Sequence, residues 1–520
     1  MHLFDKTPFY FYHKLINCPR YLKAAFASSF VFGCLSHMYI MTHLLPNGDG
    51  CSALFGYGAG YTSGRWGLAL LGEFIRIIFG NYSLPWLNGI LSILFLSISS
   101  ILIIKAFDIQ NDLNCIFISA IMVTFPSITS TFIYIFTTPY YCFSILLTCL
   151  AAYLVRKYSK GWIAGIFLLT CSLGIYQAYL GIAAGMFLLF LIVDTLHPKY
   201  NIKKTFVCAW GYLGILVTSV AFYFVFNKIA LIITNNNLSE YMGINSMGQI
   251  PLNQLPQIIS RIYIEFLAPA IVERYGINQY PIIRVSYFIF LLFTIFFSVR
   301  IIYLSWNNKG YKSACLTTFF LILFPFAINI IYIMCLFWVH TLMRYSVVIF
   351  YIAFIIIWEK QKNLFFSYKL ISLMEWMIVC LFTITIGSFC IQANESYLCL
   401  YQNHMQTYSY YNTIITQIKM TKEYTANTPI AFIGETKDPT FPNISEFDNL
   451  KNLCGIMNGF DYVNMYSRDK FMRYFCGFAP PLATNLDMIK SSLEFQDMPV
   501  YPNQGSIKII NGTLIVKFED

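Results

Sequence analysis

The 520-residue sequence predicts an α-helical membrane protein with many crossings, followed by a small α/β domain. Hydrophobic residues make up 58% of the chain and charged residues only 11%, whereas soluble domains carry about 25% charged residues. The apolar residues form long runs, many of about the length that a helix needs to cross a bilayer. Residues 393–520 lack such runs and are richer in charge, Asn, Asp and Pro. These observations predict a membrane domain over residues 1–392 and an outer α/β domain over residues 393–520.

The apolar runs predict about eleven transmembrane helices. The first run, Ala24–Leu45, follows a basic segment and lacks a small-residue cleavage site, so we interpret it as an uncleaved crossing. The other runs are Trp86–Ala106, Leu113–Ile135, Tyr140–Val155, Trp162–Tyr179, Leu180–Leu196, Phe206–Ile233, Val285–Leu304, Ala314–Leu336, Tyr345–Trp358 and Leu370–Ile391. Two assignments stay open, because residues 162–196 contain little polar break and residues 345–358 form a short run.

Lysine and arginine residues predict the orientation of these crossings. Alternate connections carry basic clusters such as Arg156–Lys160, and the connections between them carry fewer positive charges. Cytoplasmic loops are enriched in Lys and Arg, so the N-terminus is predicted to be cytoplasmic. By the same rule, loops 46–85 and 234–284 and the C-terminal domain are predicted to be extracytoplasmic. The net charge of +10 is then a topology signal, and we expect membrane lipids and no nucleic acid as partners.

The C-terminal domain shows local signals of an α/β fold. Thr428–Glu435 reads as a buried strand that ends at a glycine turn. In Gly505–Phe518, two alternating runs flank Asn511-Gly512, which is a strong hairpin signal. Tyr408–Lys422 reads as a polar helix. If the domain lies outside the cytoplasm, Cys454 and Cys476 can form a disulfide, and whether they do stays open.

The polar, glycine-rich stretch Asn47–Trp66 is unusual in so apolar a chain and is predicted to hold the catalytic group. Asp49 is either a turn residue or a catalytic group. As a catalytic group it is a general base that deprotonates an acceptor hydroxyl, or a ligand of a metal that does so. Arg65 is either an interfacial anchor or a phosphate ligand, for which its planar guanidinium is suited. Tyr57 and Trp66 are further candidates for donor binding in this loop.

Three residues outside the loop are candidates for substrate binding. Gln177 lies in an apolar helix and is either a helix–helix contact or a sugar ligand. His340 and Arg344 are four residues apart, which places them on one helical face at the outer end of a crossing. Arg344 is either an interfacial anchor or a ligand of a lipid-linked phosphate. A charged group in the long outer loop is predicted to be a solvated ion-pair surface: Arg261, Glu265, Glu273 and Arg274.

Searches for other chemistry exclude several classes of protein. The sequence contains no phosphate-binding GxxxxGK[ST], no GxGxxG after a strand, no HExxH and no GxSxG. Nucleotide-driven pumps, zinc proteases and lipase-type hydrolases are therefore not indicated. No CxxC pair has zinc-ligand spacing, and a lone carboxylate suits a base better than a divalent metal site. We therefore predict neither a metal nor a cofactor.

Several short motifs resemble the bacterial and phage type-II glucosyl transferase family, the serotype-converting proteins that decorate O-antigen. The motifs are Asn47–Gly50, Gly64–Trp66, Pro85–Trp86, Leu173–Leu180, and Met498–Pro502 with Gly505–Ile507. They occur in the family's order along the whole chain. The resemblance implies a type-C glycosyltransferase architecture, with an acidic residue in the first outer loop at the position of Asp49. Many relatives have two adjacent acids there, and this sequence has only Asp49.

The resemblance also implies a function. Such enzymes move a hexose, usually glucose, from a polyprenyl-phosphate donor to a surface glycan such as lipopolysaccharide O-antigen, with serotype conversion as the outcome. The implied location is the outer face of the bacterial inner membrane, with undecaprenyl phosphate as the lipid carrier. A small flippase and a cytoplasmic donor-synthesising enzyme are the implied partners. Asp49 is expected to deprotonate the acceptor in an inverting displacement. Two other functions stay open: an O-antigen polymerase, or a flippase or transporter of lipid-linked glycans.

Overall fold

The computed structural model of the chain describes residues 9–10, 16–80, 82–197, 200–240, 244–245, 249, 252–273, 277–335, 339–362, 368–435, 454, 465–484 and 486–519. The first half contains α1 Arg20–Thr42, α2 Gly48–Ser52, α3 Trp66–Phe79, α4 Pro85–Phe107, α5 Asp112–Thr124, α6 Pro126–Phe132, α7 Thr138–Lys157, α8 Gly161–Ile175 and α9 Leu180–Leu196. The second half of the bundle contains α10 Ile202–Thr234, α11 Leu255–Leu267, α12 Pro281–Lys309, α13 Tyr311–Ile328, α14 Ile331–Met334, α15 Val348–Gln361 and α16 Tyr368–Met420.

The prediction of a polytopic helical membrane protein is confirmed. Within the described ranges, nine helices are long and apolar enough to cross a membrane. The pair α5 and α6, bent by 43° where Pro126 follows Phe125, makes a tenth if it counts as one span. Helix α8 is apolar but has only 15 residues, so the prediction of eleven crossings stays a prediction.

The apolar stretch over residues 162–196, which the sequence divided between Tyr179 and Leu180, is broken at Tyr176. The backbone of Tyr176 is extended, with φ −154° and ψ 113°, and a 3-10 turn, Gln177–Tyr179, follows before α9 begins. A second 3-10 segment, Thr341–Val347, precedes α15. The sequence had predicted that His340 and Arg344 lie on one α-helical face. This prediction is wrong, because 3-10 geometry aligns residues three apart and not four.

Helices α9 and α15 form the centre of the bundle. Counted with the 3-10 segments that precede them, 78% and 94% of their apolar stretches are buried, against 22% for α10. Both 3-10 segments lie at the same end of the bundle, where the rings of Tyr179 and Tyr345 are 6.1 Å apart. At this end, the two central helices are therefore preceded by 3-10 segments and not by further α-helix.

Ion pairs lie at the opposite end of the bundle, at the connections that the sequence assigned to the cytoplasm. Arg20 contacts Asp112 at 3.0 Å and Arg156 contacts Asp194 at 2.5 Å. Asn47–Trp66 follows α1 and therefore lies at the end away from Arg20. This arrangement separates the basic connections from the glycine-rich loop; which side is cytoplasmic stays a prediction.

Helix α16 runs without interruption for 53 residues. At 1.5 Å per residue it is about 80 Å long, so it reaches well beyond one bilayer. The predicted crossing Leu370–Ile391 and the predicted polar helix Tyr408–Lys422 are both parts of it. Residues 388–427 contain neither Gly nor Pro, so nothing stops the helix where its composition changes. The predicted domain boundary at residue 392 falls inside α16 and stays a prediction.

In the described part of the C-terminal domain, three strands form a sheet of order β1-β3-β2, with β1 Ile430–Ile433, β2 Ile507–Ile510 and β3 Thr513–Lys517. Strands β2 and β3 form the predicted hairpin, and Asn511 and Gly512 both have the positive φ of a type I′ turn. The helices α17 Arg468–Phe475, α18 Leu486–Lys490 and α19 Leu493–Gln496 pack around the sheet. Cys454 and Cys476 are both free thiols, so the disulfide considered from the sequence is not formed.

Candidate functional site

Asp49 lies on α2, a five-residue helix that begins the glycine-rich loop. The side chain of Asn47 caps this helix, because its Oδ1 accepts a hydrogen bond from the Gly50 amide at 2.8 Å. A Cβ at Gly50 would lie 2.8 Å from the Cβ of Pro46, so only glycine fits this turn. The motif Asn47–Gly50 is therefore a capped turn that fixes the backbone of Asp49.

The Asp49 carboxyl keeps an exposed surface, although protein surrounds most of it. This partial desolvation raises the pKa of Asp49, and the positive charge of Arg65 opposes the rise. A carboxylate with a raised pKa accepts a proton more readily than an ordinary one. Asp49 thus has the electrostatic setting of a general base, and Arg65 is the charged residue that tunes it.

Arg65 stacks on two tyrosine rings. Its guanidinium carbon lies 5.1 Å from the ring centre of Tyr176 and 5.8 Å from that of Tyr141, and the two rings stack on each other at 4.2 Å. Across the described ranges, no carboxylate lies within 4.0 Å of Arg65, and its buried Nε has no hydrogen-bond partner. Arg65 is therefore held in place by aromatic rings while its charge stays available to an anion.

A hydrogen-bond triangle fixes the backbone next to Arg65. The Gly64 carbonyl accepts from Gln177 Nε2 at 2.8 Å and from the Tyr223 hydroxyl at 3.0 Å. Gln177 Nε2 also donates to the Tyr223 hydroxyl at 2.8 Å. Gln177 was predicted to be either a helix–helix contact or a sugar ligand, and in the structure it holds the loop.

Two motifs that are more than a hundred residues apart in the sequence pack together. They are Gly64–Trp66, with the following Gly67, and the first part of Leu173–Leu180. A Cβ at Gly67 would lie 2.9 Å from the carbonyl carbon of Gly174, so the two backbones touch. The Trp66 ring covers Gly174, where a Cβ would lie 2.5 Å from it. Trp66, a predicted donor ligand, is thus packed at the junction, and its buried indole nitrogen has no hydrogen-bond partner among the described residues.

Tyr57 packs on helix α3. Its hydroxyl donates to Glu73 at 3.0 Å, and its ring lies over Gly72, where a Cβ would be 2.2 Å away. Glu73 in turn pairs with Arg76 at 2.5 Å. Tyr57 therefore anchors the loop to α3, and the structure does not place it among the residues around Arg65.

Arg344 is buried and already paired. Its Nη2 lies 3.3 Å from the carboxylate of Glu265, and the two side chains are 7% and 15% exposed. The prediction of a solvated surface is therefore wrong for Glu265. The same prediction agrees with the position of Glu273, whose side chain is 53% exposed and whose carboxylate lies 3.7 Å from Nη1 of Arg284. Arg274 lies outside the described residues.

His340 caps the 3-10 segment that carries Arg344. Its Nδ1 accepts a hydrogen bond from the Leu342 amide at 3.3 Å and lies 3.4 Å from the Ser130 hydroxyl. The Tyr332 ring lies between two arginines, 5.0 Å from Arg261 and 6.0 Å from Arg344. His340 therefore positions the Arg344 segment.

The structure brings Asp49, Arg65 and Arg261 to one end of the bundle. Arg65 acts electrostatically on Asp49, and both Arg65 and Arg261 act on the thiol of Cys335. Sequence reasoning missed Arg261, which it treated as solvated, and did not single out Tyr176 as a site residue. Their signal was weak, since neither an arginine in a long loop nor a tyrosine in an apolar run is unusual. Within the described ranges, no three potential metal ligands come together.

Comparison with known proteins gives a match to a family model. The family model described as Glucosyl transferase GtrII matches residues 38–357, which is more than half of the chain. The matched region contains both Asp49 and Arg65, together with the Leu173–Gln177 motif. No curated protein and no solved structure matches the chain.

Proposed function

Since the chain belongs to the glucosyl transferase GtrII family, we propose that it transfers glucose from a polyprenyl-phosphate donor to a bacterial surface glycan such as lipopolysaccharide O-antigen. The reaction takes place at the outer face of the inner membrane, with the N-terminus cytoplasmic and the C-terminal domain extracytoplasmic. A flippase supplies the donor to this face, and a cytoplasmic enzyme makes it. The family supports the glycosyl transfer, and the apolar helices support the membrane setting.

One observation carries the proposal: Arg65, which has no carboxylate within 4.0 Å among the described residues, acts electrostatically on Asp49, a carboxylate with a raised pKa. The donor already contains an activated sugar–phosphate bond, so the protein needs a cation for the leaving phosphate and a base for the acceptor. Arg65 and Asp49 are these two groups. Arg344, the other candidate for the phosphate, is occupied by Glu265.

In the proposed step, an acceptor hydroxyl oxygen attacks the anomeric carbon of the donor sugar. Asp49 takes the hydroxyl proton as the new C–O bond forms. The bond between the anomeric carbon and the phosphate oxygen breaks, and the lipid phosphate leaves with its electron pair. Arg65 stabilises the negative charge that develops on that phosphate. A single displacement of this kind inverts the anomeric configuration.

The decisive variant is Asp49→Asn, which keeps the size of the side chain and removes the base. General-base catalysis contributes about 10²–10⁴-fold in rate, so we expect transfer of radiolabelled glucose from polyprenyl-phosphate glucose to fall by at least 10²-fold. Asp112→Asn is the matched control, because Asp112 lies at the opposite end of the bundle in a pair with Arg20. Normal transfer by a correctly inserted Asp49→Asn variant would exclude Asp49 as the base.

A second measurement addresses the orientation. A reporter fused after Asp520 is expected to give an extracytoplasmic signal, and a cytoplasmic signal would contradict the proposed topology.

A further inference from the structure

Three aromatic rings lie at the junction between the catalytic loop and the C-terminal domain. Phe55 belongs to the loop, and its ring centre lies 5.8 Å from that of Tyr82 and 5.1 Å from that of Tyr474, both in edge-to-face geometry. Phe55 is 44% exposed and Tyr82 is 66% exposed, so the cluster faces outward. We call Phe55, Tyr82 and Tyr474 the aromatic platform.

The aromatic platform lies close to Asp49. Tyr474 is on α17, and α17 packs directly against α2, the short helix that carries Asp49. Tyr82 is tied to the same loop, because the amide of the next residue, Ser83, donates to the Leu54 carbonyl at 2.9 Å. Phe55, the first residue of the aromatic platform, therefore follows the end of α2, the helix that holds the proposed base, by only three residues.

The composition of α17 indicates that the aromatic platform faces water. The helix has the sequence RDKFMRYF, with four charged residues in eight, and its Lys470 and Arg473 are exposed. Charged side chains are costly in hydrocarbon, so a helix of this kind does not enter the bilayer. A cluster of exposed aromatic rings on the aqueous side of a membrane protein is typical of a binding site, here for a ligand with an apolar face and polar edges.

We propose that the aromatic platform binds a pyranose ring of the acceptor glycan beside Asp49; this inference rests on the proposed function. A pyranose has a face of C–H groups that stacks on aromatic rings, and a rim of hydroxyl groups that hydrogen-bond to polar side chains. Lys470 and Arg473 offer donors to that rim. Because the three rings come from both the loop and the C-terminal domain, the acceptor subsite is complete only when α17 rests on α2.

The experiment measures binding and does not depend on turnover. Full-length protein carrying Asp49→Asn is titrated with the delipidated surface polysaccharide of a host strain that lacks this gene, and binding is followed by saturation-transfer difference NMR. Phe55→Ala and Tyr474→Ala are each expected to weaken binding about tenfold, the size of effect that follows loss of one aromatic stacking contact. Tyr474→Phe keeps the ring and is expected to bind as the parent does. Tyr368→Ala is the control, since Tyr368 is an exposed ring at the first residue of α16, far along that helix from the turns that contact α17.

Two results would overturn the inference. The first is absence of polysaccharide binding by the parent protein. The second is unchanged affinity in Phe55→Ala and Tyr474→Ala, above all if these variants insert less well into membranes, which would make the rings a bilayer anchor. Failure of the Asp49 assay leaves the binding experiment readable, because the titration contains no sugar donor and no transfer can occur in it. Failure of the binding experiment leaves the roles of Asp49 and Arg65 unaffected.

Discussion

Replacement of Arg65 tests the electrostatic half of the mechanism. In Arg65→Gln the loop keeps its anchor at the Gly64 carbonyl, since that bond comes from Gln177 and Tyr223, but the site loses its unpaired cation. Binding of the donor phosphate to Arg65 breaks no ion pair, so the whole charge interaction is available to the reaction. Removal of one group that stabilises developing charge costs about 10²–10³-fold in kcat, or ~2.7–4 kcal/mol.

Two further arginine variants separate catalysis from folding. Arg76→Gln is the matched control, because Arg76 lies on α3 in an exposed pair with Glu73, and pairs of this kind contribute about 0–1 kcal/mol. Arg344→Gln removes the cation from the buried ion pair with Glu265, which is expected to cost about 3–5 kcal/mol of stability. Arg344→Gln should therefore lower the Tm, whereas Arg65→Gln should lower kcat at a nearly unchanged Tm.

The assay follows single-turnover transfer from radiolabelled polyprenyl-phosphate glucose in reconstituted vesicles, beside a thermal denaturation curve for each variant. Arg65→Lys keeps the charge but loses the planar fork and the stacking on Tyr176, so an intermediate rate is expected. If Arg65→Gln retains kcat within threefold of the parent, the leaving phosphate is stabilised elsewhere and the assignment of Arg65 is wrong.

The remaining predictions concern pH and the loop anchor. As the proposed base, Asp49 acts in its ionised form, so activity is expected above its raised pKa and is lost as pH falls through that pKa. Arg65→Gln removes the charge that lowers the pKa of Asp49, so the acid limb of the pH–rate profile should move to higher pH. Arg65→Lys keeps the charge and should leave the acid limb in place. Gly64→Ala is strained twice, by its φ of 69° and by a Cβ that would lie 2.8 Å from the Tyr223 hydroxyl, and should destabilise the loop by about 1–3 kcal/mol. In limited proteolysis the loop of Gly64→Ala should be cut faster, and adding Tyr223→Phe should slow the cleavage; equal rates in all three proteins would show that Gly64 does not control the loop.

Composition predicted most of the fold, because the relevant signals are local. Length and apolarity identify a crossing without knowledge of its neighbours, and Asn511-Gly512 specifies its hairpin turn through the backbone preferences of two residues. The continuity of α16 was missed, since a change from apolar to polar residues indicates a change of surroundings and not the end of a helix. The sequence divided the apolar run over residues 162–196 between Tyr179 and Leu180 and could not place the break at Tyr176, because the extended backbone there depends on tertiary contacts with the loop.

The site was predictable only in part, because its geometry joins distant segments. The sequence drew attention to Asp49, Arg65 and Gln177, but it could not distinguish Arg65 from Arg344 as the phosphate ligand. That distinction depends on which arginine already has a carboxylate, and the partner of Arg344 is Glu265, 79 residues away. Charge pairs across such separations leave no pattern in the sequence of one chain.

The structure also gives a physical meaning to the lone acid in the first loop. Transfer from a lipid-phosphate donor has two electrostatic requirements: one proton must leave the acceptor, and one negative charge must be stabilised on the phosphate. Here Asp49 is suited to the first requirement and Arg65 to the second, and each influences the other, because the charge of Arg65 lowers the pKa of Asp49. In the proposed reaction, binding of the donor phosphate neutralises Arg65, so that influence weakens and Asp49 becomes a stronger base. Donor binding would therefore activate the base that the acceptor needs, which is a reason to have one carboxylate near an arginine that has no carboxylate partner among the described residues.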